Sequence, residues 1–135
     1  MKKIIVTGAG GFIGRTLINK LSQKKNNLII AIDNNFRGSL KKIKKTKNIK
    51  KIKIDLTKKN KLKKIFNNSD TCYHLAAING TNNFYKKPKE VLETGIKGTL
   101  NVLEESIKAK LKSFIFFSSS EAYQKPHKIP TKETE

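Results

Sequence analysis

Gly8-Ala9-Gly10-Gly11-Phe12-Ile13-Gly14 is the stretch on which the reading of this chain turns, and it holds four of the eight glycines. Residues 3–7 (KIIVT) precede it as a short apolar run, the mark of a buried parallel strand. Phe12, Ile13, Leu17, Ile18 and Leu21 follow at helical spacing to about Lys24. A glycine-rich turn between a strand and a helix can adopt positive φ and bring its backbone against a pyrophosphate without intervening Cβ atoms. The free N–H groups of the helix start then take up phosphate charge, and Gly14 lets the helix pack close to the sheet. Taken alone, the same pattern also fits a plain turn.

Asp33 adds context. It lies 19 residues after Gly14, at the end of a second apolar run, 28–32 (LIIAI). A carboxylate there accepts from the ribose hydroxyls of NAD and repels the extra phosphate of NADP. Arg37, close by in sequence, works against that discrimination. The plainer account of Asp33 is a turn shared with Asn34 and Asn35.

Working outward, a short helix is expected near 40–45, a strand over 49–56 and a helix over 58–66 with Leu62, Ile65 and Phe66 inward. A fourth strand covers 71–77 (TCYHLAA), and 78–87 reads as a polar loop. Pro88 suits a helix start. Val91, Leu92, Ile96, Leu100, Leu103 and Ile107 then define one long helix over 88–110. A fifth strand spans 113–117 (SFIFF), and the tail from Gln124 shows no apolar period. Strands alternating with helices predict an α/β fold, a doubly wound parallel sheet of Rossmann type. The expected order is 3-2-1-4-5, with helices on both faces.

The 135 residues suit one domain, carry a formal charge of +20, and include a single cysteine, Cys72. That excludes a disulfide framework and a thiolate metal site, and no metal is expected. The longest apolar runs are far short of a membrane span, and no secretory signal is evident, so a soluble cytoplasmic domain is expected. The charge invites a nucleic-acid reading, and residues 41–64 hold 13 Lys. Yet 28 of the 30 basic residues are Lys, with 13 Asn and 17 Ile, as A/T-rich codons would produce together. No aromatic residue is interleaved with the lysine cluster, so solvated faces account for it better than a nucleic-acid partner.

Thr7-Gly8-Ala9-Gly10-Gly11-Phe12-Ile13-Gly14 resembles the TGxxGFIG fingerprint of the extended short-chain dehydrogenase/reductase family, the NAD-dependent nucleotide-sugar epimerases and dehydratases. Asp33-Asn34 resembles that family's acidic-Asn strand end, and Asp55-Leu56 its adenine-contacting pair. His74-Leu75-Ala76-Ala77 resembles its HLAA segment, where the resemblance sets Ala76 and Ala77 against the nicotinamide ribose. Ser118-Ser119-Ser120-Glu121-Ala122-Tyr123 resembles its SSSxxVYG or STSEVYG segment. The resemblance implies NAD as cofactor, bound through Gly8, Gly11, Phe12, Ile13 and Gly14 at the pyrophosphate. It implies a nucleotide-sugar as substrate, epimerised or dehydrated through a transient keto-sugar, and a homodimer of the full-length enzyme. Ser119 would hydrogen-bond the reacting sugar hydroxyl, and Glu121 would be the acid or base of dehydratases and decarboxylases.

Blander roles stand beside these. Asp55 can start a turn with Thr57, His74 suits a core position better than a base, and the serines can simply finish a strand beside a surface Glu121. Two positions depart from the family pattern. Gly95 replaces the Asn of NVxGT, offering close packing in its place, and Gln124 replaces a Gly. The family's Tyr-x-x-x-Lys is absent. Tyr85 and Lys89 have the spacing but enclose Pro88 and precede the wrong helix. The chain is therefore expected to be the NAD-binding domain of a longer enzyme, ending before the catalytic helix and the substrate domain. The competing classes are a non-catalytic dinucleotide-binding module and a lysine-driven nucleic-acid binder.

Overall fold

Five short stretches pair side by side in a computed structural model that describes residues 1–123, 125 and 127–134. They are β1 (Lys2–Thr7), β2 (Asn27–Asp33), β3 (Ile49–Lys53), β4 (Thr71–His74) and β5 (Ser113–Phe116). Every pairing is parallel, as the alternation of elements predicts, and the order is the expected β3-β2-β1-β4-β5. β1 and β2 are covered on both faces, which is why they read as unbroken apolar runs.

The two-residue period of each strand sorts these side chains into two cores. Ile4, Val6, Ile29 and Ala31 pack with Ile18 of α1 (Phe12–Ser22), and with Leu40 and Ile43 around a 3₁₀ turn at Leu40–Lys42. On the opposite face Ile5, Ile30, Ile32 and Cys72 pack with Leu62, Phe66 and Val102. Phe66 belongs to α2 (Lys63–Phe66), which follows a 3₁₀ turn at Lys59–Lys61, so the single helix expected over 58–66 is divided. Burial pushes the Cys72 thiol up to about 12, leaving it inert.

Two of the strands end three residues earlier than their apolar runs do. β3 stops at Lys53 and β4 at His74, and the residues beyond them leave the sheet to line a cleft. The expected loop 78–87 contains α3 (Thr81–Lys86), entered through Gly80 at φ 107. The long helix is interrupted: α4 (Pro88–Leu92) passes into a π-helical turn, Glu93–Gly98, before α5 (Thr99–Lys108).

The apolar stripe of that long element does not face the sheet. Leu92, Ile96, Leu100, Leu103 and Ile107 are 57%, 60%, 52%, 37% and 67% exposed. The buried side instead carries Val91, Gly98, Asn101, Val102, Glu105 and Ser106. Its polar members find partners: Asn101 Nδ2 donates to Leu56 O beyond β3 at 2.8 Å, and Ser106 Oγ to Val102 O within the helix at 2.7 Å. Periodicity identifies an apolar face but not the surface it meets. The packing expected of Gly95 is also absent, since a Cβ there would meet nothing within 4 Å.

The lysine cluster surrounds β3, the edge strand, where Lys50 and Lys53 are exposed. Charge on an edge strand discourages pairing with other chains, a structural use for these residues. Among the described residues, no helix is long and apolar enough to cross a membrane.

Candidate cofactor cleft

Strand order reverses between β1 and β4, and open α/β sheets bind ligands in the crevice that such a reversal leaves at the carboxyl ends of the strands. A cleft of about 520 Å³ opens there. The turn after β1 contributes Gly8, Gly11, Phe12, Ile13 and Gly14 to its wall, and the end of β2 contributes Asp33 and Asn34. Asp55 and Leu56 reach it from beyond β3, and Ala76 and Ala77 from beyond β4. Every residue selected from sequence as cofactor-binding therefore lies on this one cleft.

The turn is built for close backbone approach. Gly8 has φ 64, and a Cβ on it would lie 2.8 Å from Leu75 O and from Ala76 N. Gly11 precedes α1 in an extended conformation, no side chain caps the helix start, and its first turn holds no acidic residue. That leaves an uncapped, partly positive helix end at the cleft, where an anion is favoured. A pyrophosphate fits this donor set.

Asp33 is tied into the same turn. Its Oδ2 accepts from Gly10 N at 2.9 Å and its Oδ1 from Asn35 N at 2.6 Å. The turn-forming bonds leave Asp33 further acceptor capacity at the cleft, because a carboxylate has about four acceptor sites. Asp55 likewise uses one oxygen for its own turn, accepting from Thr57 N at 2.9 Å and Thr57 Oγ1 at 2.8 Å, while lining the cleft.

Beneath the cleft runs a buried polar chain. Thr7 Oγ1 accepts from Leu75 N at 3.2 Å and Ala76 N at 3.3 Å and lies 2.7 Å from His74 Nδ1. With both amides donating to it, the hydroxyl gives its own proton to Nδ1, which leaves Nε2–H to donate to Thr99 Oγ1 at 3.0 Å. Burial holds the His74 imidazolium down to about 4, so the ring is neutral at ordinary pH. Phe116 stacks on it at 5.8 Å. His74 is a structural pin joining β1, β4 and α5.

Sequence reasoning missed several neighbours. Gly38 is one: a Cβ there would lie 2.3 Å from Gly10 C and 2.6 Å from Gly11 N, and Ser39 N donates to Gly10 O at 3.1 Å. The loop after β2 is thereby packed against the glycine turn. Its signal was available, for Gly38 is the only glycine between Gly14 and Gly80. Arg37 Nη1 donates to Asn79 O at 2.6 Å, which joins the loop after β2 to the segment after β4. Thr94, on the π-helical turn, also lines the wall.

Of the serine segment, Ser118 reaches the cleft, whereas Ser119 and Glu121 are exposed just beyond it. Ser119 Oγ accepts from Glu121 N at 3.3 Å at the start of a 3₁₀ turn, Ser120–Tyr123. Gln124 lies outside the described residues. Tyr85 is 83% exposed on α3, and neither it nor Lys89 lines the cleft.

A parallel sheet with a glycine-rich turn after its first strand and a carboxylate at the end of its second, both at the switch point, defines a dinucleotide-binding α/β domain. Residues 4–135 match the model of the NAD dependent epimerase/dehydratase family, and the chain belongs to that family. It is 38% identical over 125 residues to UDP-N-acetyl-alpha-D-glucosaminuronate decarboxylase of Bacillus cytotoxicus, covering 92% of this chain and 38% of that protein. It is 30% identical over 139 residues to UDP-glucose 4-epimerase of Pisum sativum, covering 96% and 40%. The solved UDP-glucose 4-epimerase of Thermotoga maritima with UDP-glucose superposes with TM-score 0.86 at 32% identity, over 98% of this chain and 43% of that one. The Bifidobacterium longum enzyme in complex with NAD+ and UDP superposes with TM-score 0.84 at 26% identity, over 98% and 41%. The chain thus spans about two fifths of the length of the curated relatives it matches.

Proposed function

We propose that this chain is the NAD-binding part of an enzyme that epimerises or dehydrates a nucleotide-sugar through a transient keto-sugar. The observation that carries the reading is the convergence of the β1–α1 glycine turn, Asp33, Asp55 and Ala76-Ala77 on one cleft at the strand-order reversal. NAD, when bound, supplies a reversible acceptor for hydride from the sugar carbon. In this reading the backbone of Gly8, Gly11, Phe12, Ile13 and Gly14 holds the pyrophosphate, while Asp33 and Asn34 hold the adenosine ribose. Asp55 and Leu56 border the adenine, and Ala76 and Ala77 leave room for the second ribose against bare backbone. Ser119, whose Oγ accepts from Glu121 N, retains its own proton to direct at a sugar hydroxyl. Glu121 is the acid–base group of an elimination or decarboxylation.

Asp33 tests the reading by calorimetric titration. NAD is expected to bind more tightly than NADP, and Asp33→Ala to weaken NAD about 10- to 100-fold, the worth of hydrogen bonds to a charged group, with little change for NADP. Equal losses for the two dinucleotides would remove Asp33 from the ribose site.

The exposed stripe from Leu92 to Ile107 supports a homodimer of the full-length enzyme, because contiguous apolar surface of this kind marks association. Sedimentation equilibrium of that enzyme should give twice the protomer mass, and Leu100→Glu should give the protomer. A dimer that survives Leu100→Glu would place the interface elsewhere.

A further inference from the structure

We propose that Arg37 is a phosphate-responsive latch: it holds the Asn79 carbonyl until the pyrophosphate of a dinucleotide takes over its guanidinium. The inference rests on the reading of the cleft as a dinucleotide site. Two facts place Arg37. The backbone of its neighbour Gly38 lies against Gly10 and Gly11, so the residue starts beside the turn that faces the phosphates. Its Nη1 donates to Asn79 O at 2.6 Å, and both residues line the same cleft. Arg37 follows β2 and Asn79 follows β4, the strands on either side of β1, so the side chain ties together the two segments that flank the glycine turn.

The exchange is downhill. Arg37 now spends a full charge on a neutral carbonyl and makes no ion pair among the described residues. The bond to Asn79 O carries charge on the donor alone, whereas a guanidinium–phosphate contact pairs opposite charges and can be bidentate. Nor does its departure orphan the acceptor, because Asn79 O also accepts from Asn83 Nδ2 at 2.8 Å. Removing Arg37 frees the segment that begins at Asn79, for which Gly80, at φ 107, is a ready pivot. One further bridge joins the same two segments: Lys87 Nζ lies 4.7 Å over the Phe36 ring. That contact is exposed and weak. Ligand binding at the phosphates is thereby coupled to the freedom of residues 79–87.

The test uses NAD, ADP-ribose and adenosine titrated into the wild-type chain, Arg37→Gln and Arg37→Lys, with amide hydrogen exchange followed over residues 79–87. Arg37→Gln is expected to weaken NAD and ADP-ribose about 10-fold and to leave adenosine, which has no phosphate, unchanged. Arg37→Lys should recover part of the loss. In the wild type NAD should speed exchange over 79–87, whereas in Arg37→Gln that exchange should already be fast and should not respond. Undiminished NAD binding by Arg37→Gln, or an equal loss for adenosine, would overturn the latch while leaving the dinucleotide site standing. Failure of the wild type to bind any of the dinucleotides would sink both.

Discussion

Gly14→Ala is expected to lower the unfolding free energy by about 2–4 kcal/mol, the scale of forced overpacking in a close-packed interior. The added Cβ would lie 2.3 Å from Gly8 O and 2.9 Å from Ala9 Cα, both backbone atoms with no rotamer in which to retreat. To make room, α1 must withdraw from the sheet, taking with it the N–H groups proposed to hold the pyrophosphate. NAD affinity should therefore fall together with stability, and the melting temperature should drop by roughly 10 °C. Gly95→Ala is the matched control, because a Cβ there meets nothing and the position is helical and exposed. It should gain up to about 1 kcal/mol. Thermal melts of the two variants side by side decide the matter: a Gly14→Ala protein as stable as the wild type would mean that α1 does not depend on that approach.

The buried chain Thr7–His74–Thr99 should give the second large effect. Thr7→Val keeps the shape but removes the oxygen that serves Leu75 N, Ala76 N and His74 Nδ1. Buried groups left without partners cost about 1–3 kcal/mol each, partly relieved by relaxation, so a loss of about 3 kcal/mol is expected in urea unfolding. The same ring sets a pH dependence. His74 titrates near 4 in the folded protein against 6.5 when unconstrained, so between those values the unfolded chain binds the additional proton. Its stabilising contribution is whole above pH 6.5 and is lost as pH falls towards 4, by at most about 3 kcal/mol. His74→Phe should flatten the stability profile across that window. An unchanged slope in this variant would assign the titration to other groups.

Much of the fold was legible because its signals are local. A strand buried on both faces must be apolar throughout, and a tight strand-to-helix turn must use glycine. Both constraints act within a few residues of Thr7 and Gly8. The residues that line the cleft were legible for a related reason: each stands at or just past a strand end, and parallel strands deliver those ends to one edge of the sheet. The lysine bias, by contrast, is compositional and carried no signal of its location, which is around an edge strand.

What the amino-acid sequence determines by itself is the alternation of strand and helix, hence a parallel sheet, and the tight glycine turn that opens the first helix. These rest on periodicity and backbone sterics, which do not depend on distant partners. Tertiary structure alone decided where β3 and β4 end, that 81–86 form a helix, and that the stripe from Leu92 to Ile107 faces away from the sheet. It alone paired Gly38 with Gly10, Arg37 with Asn79, and Thr7 with His74. Each of these joins residues at least 28 positions apart, and no property of either partner's own neighbourhood names the other. Such contacts come into being only when the sheet has closed and the strand ends share one crevice.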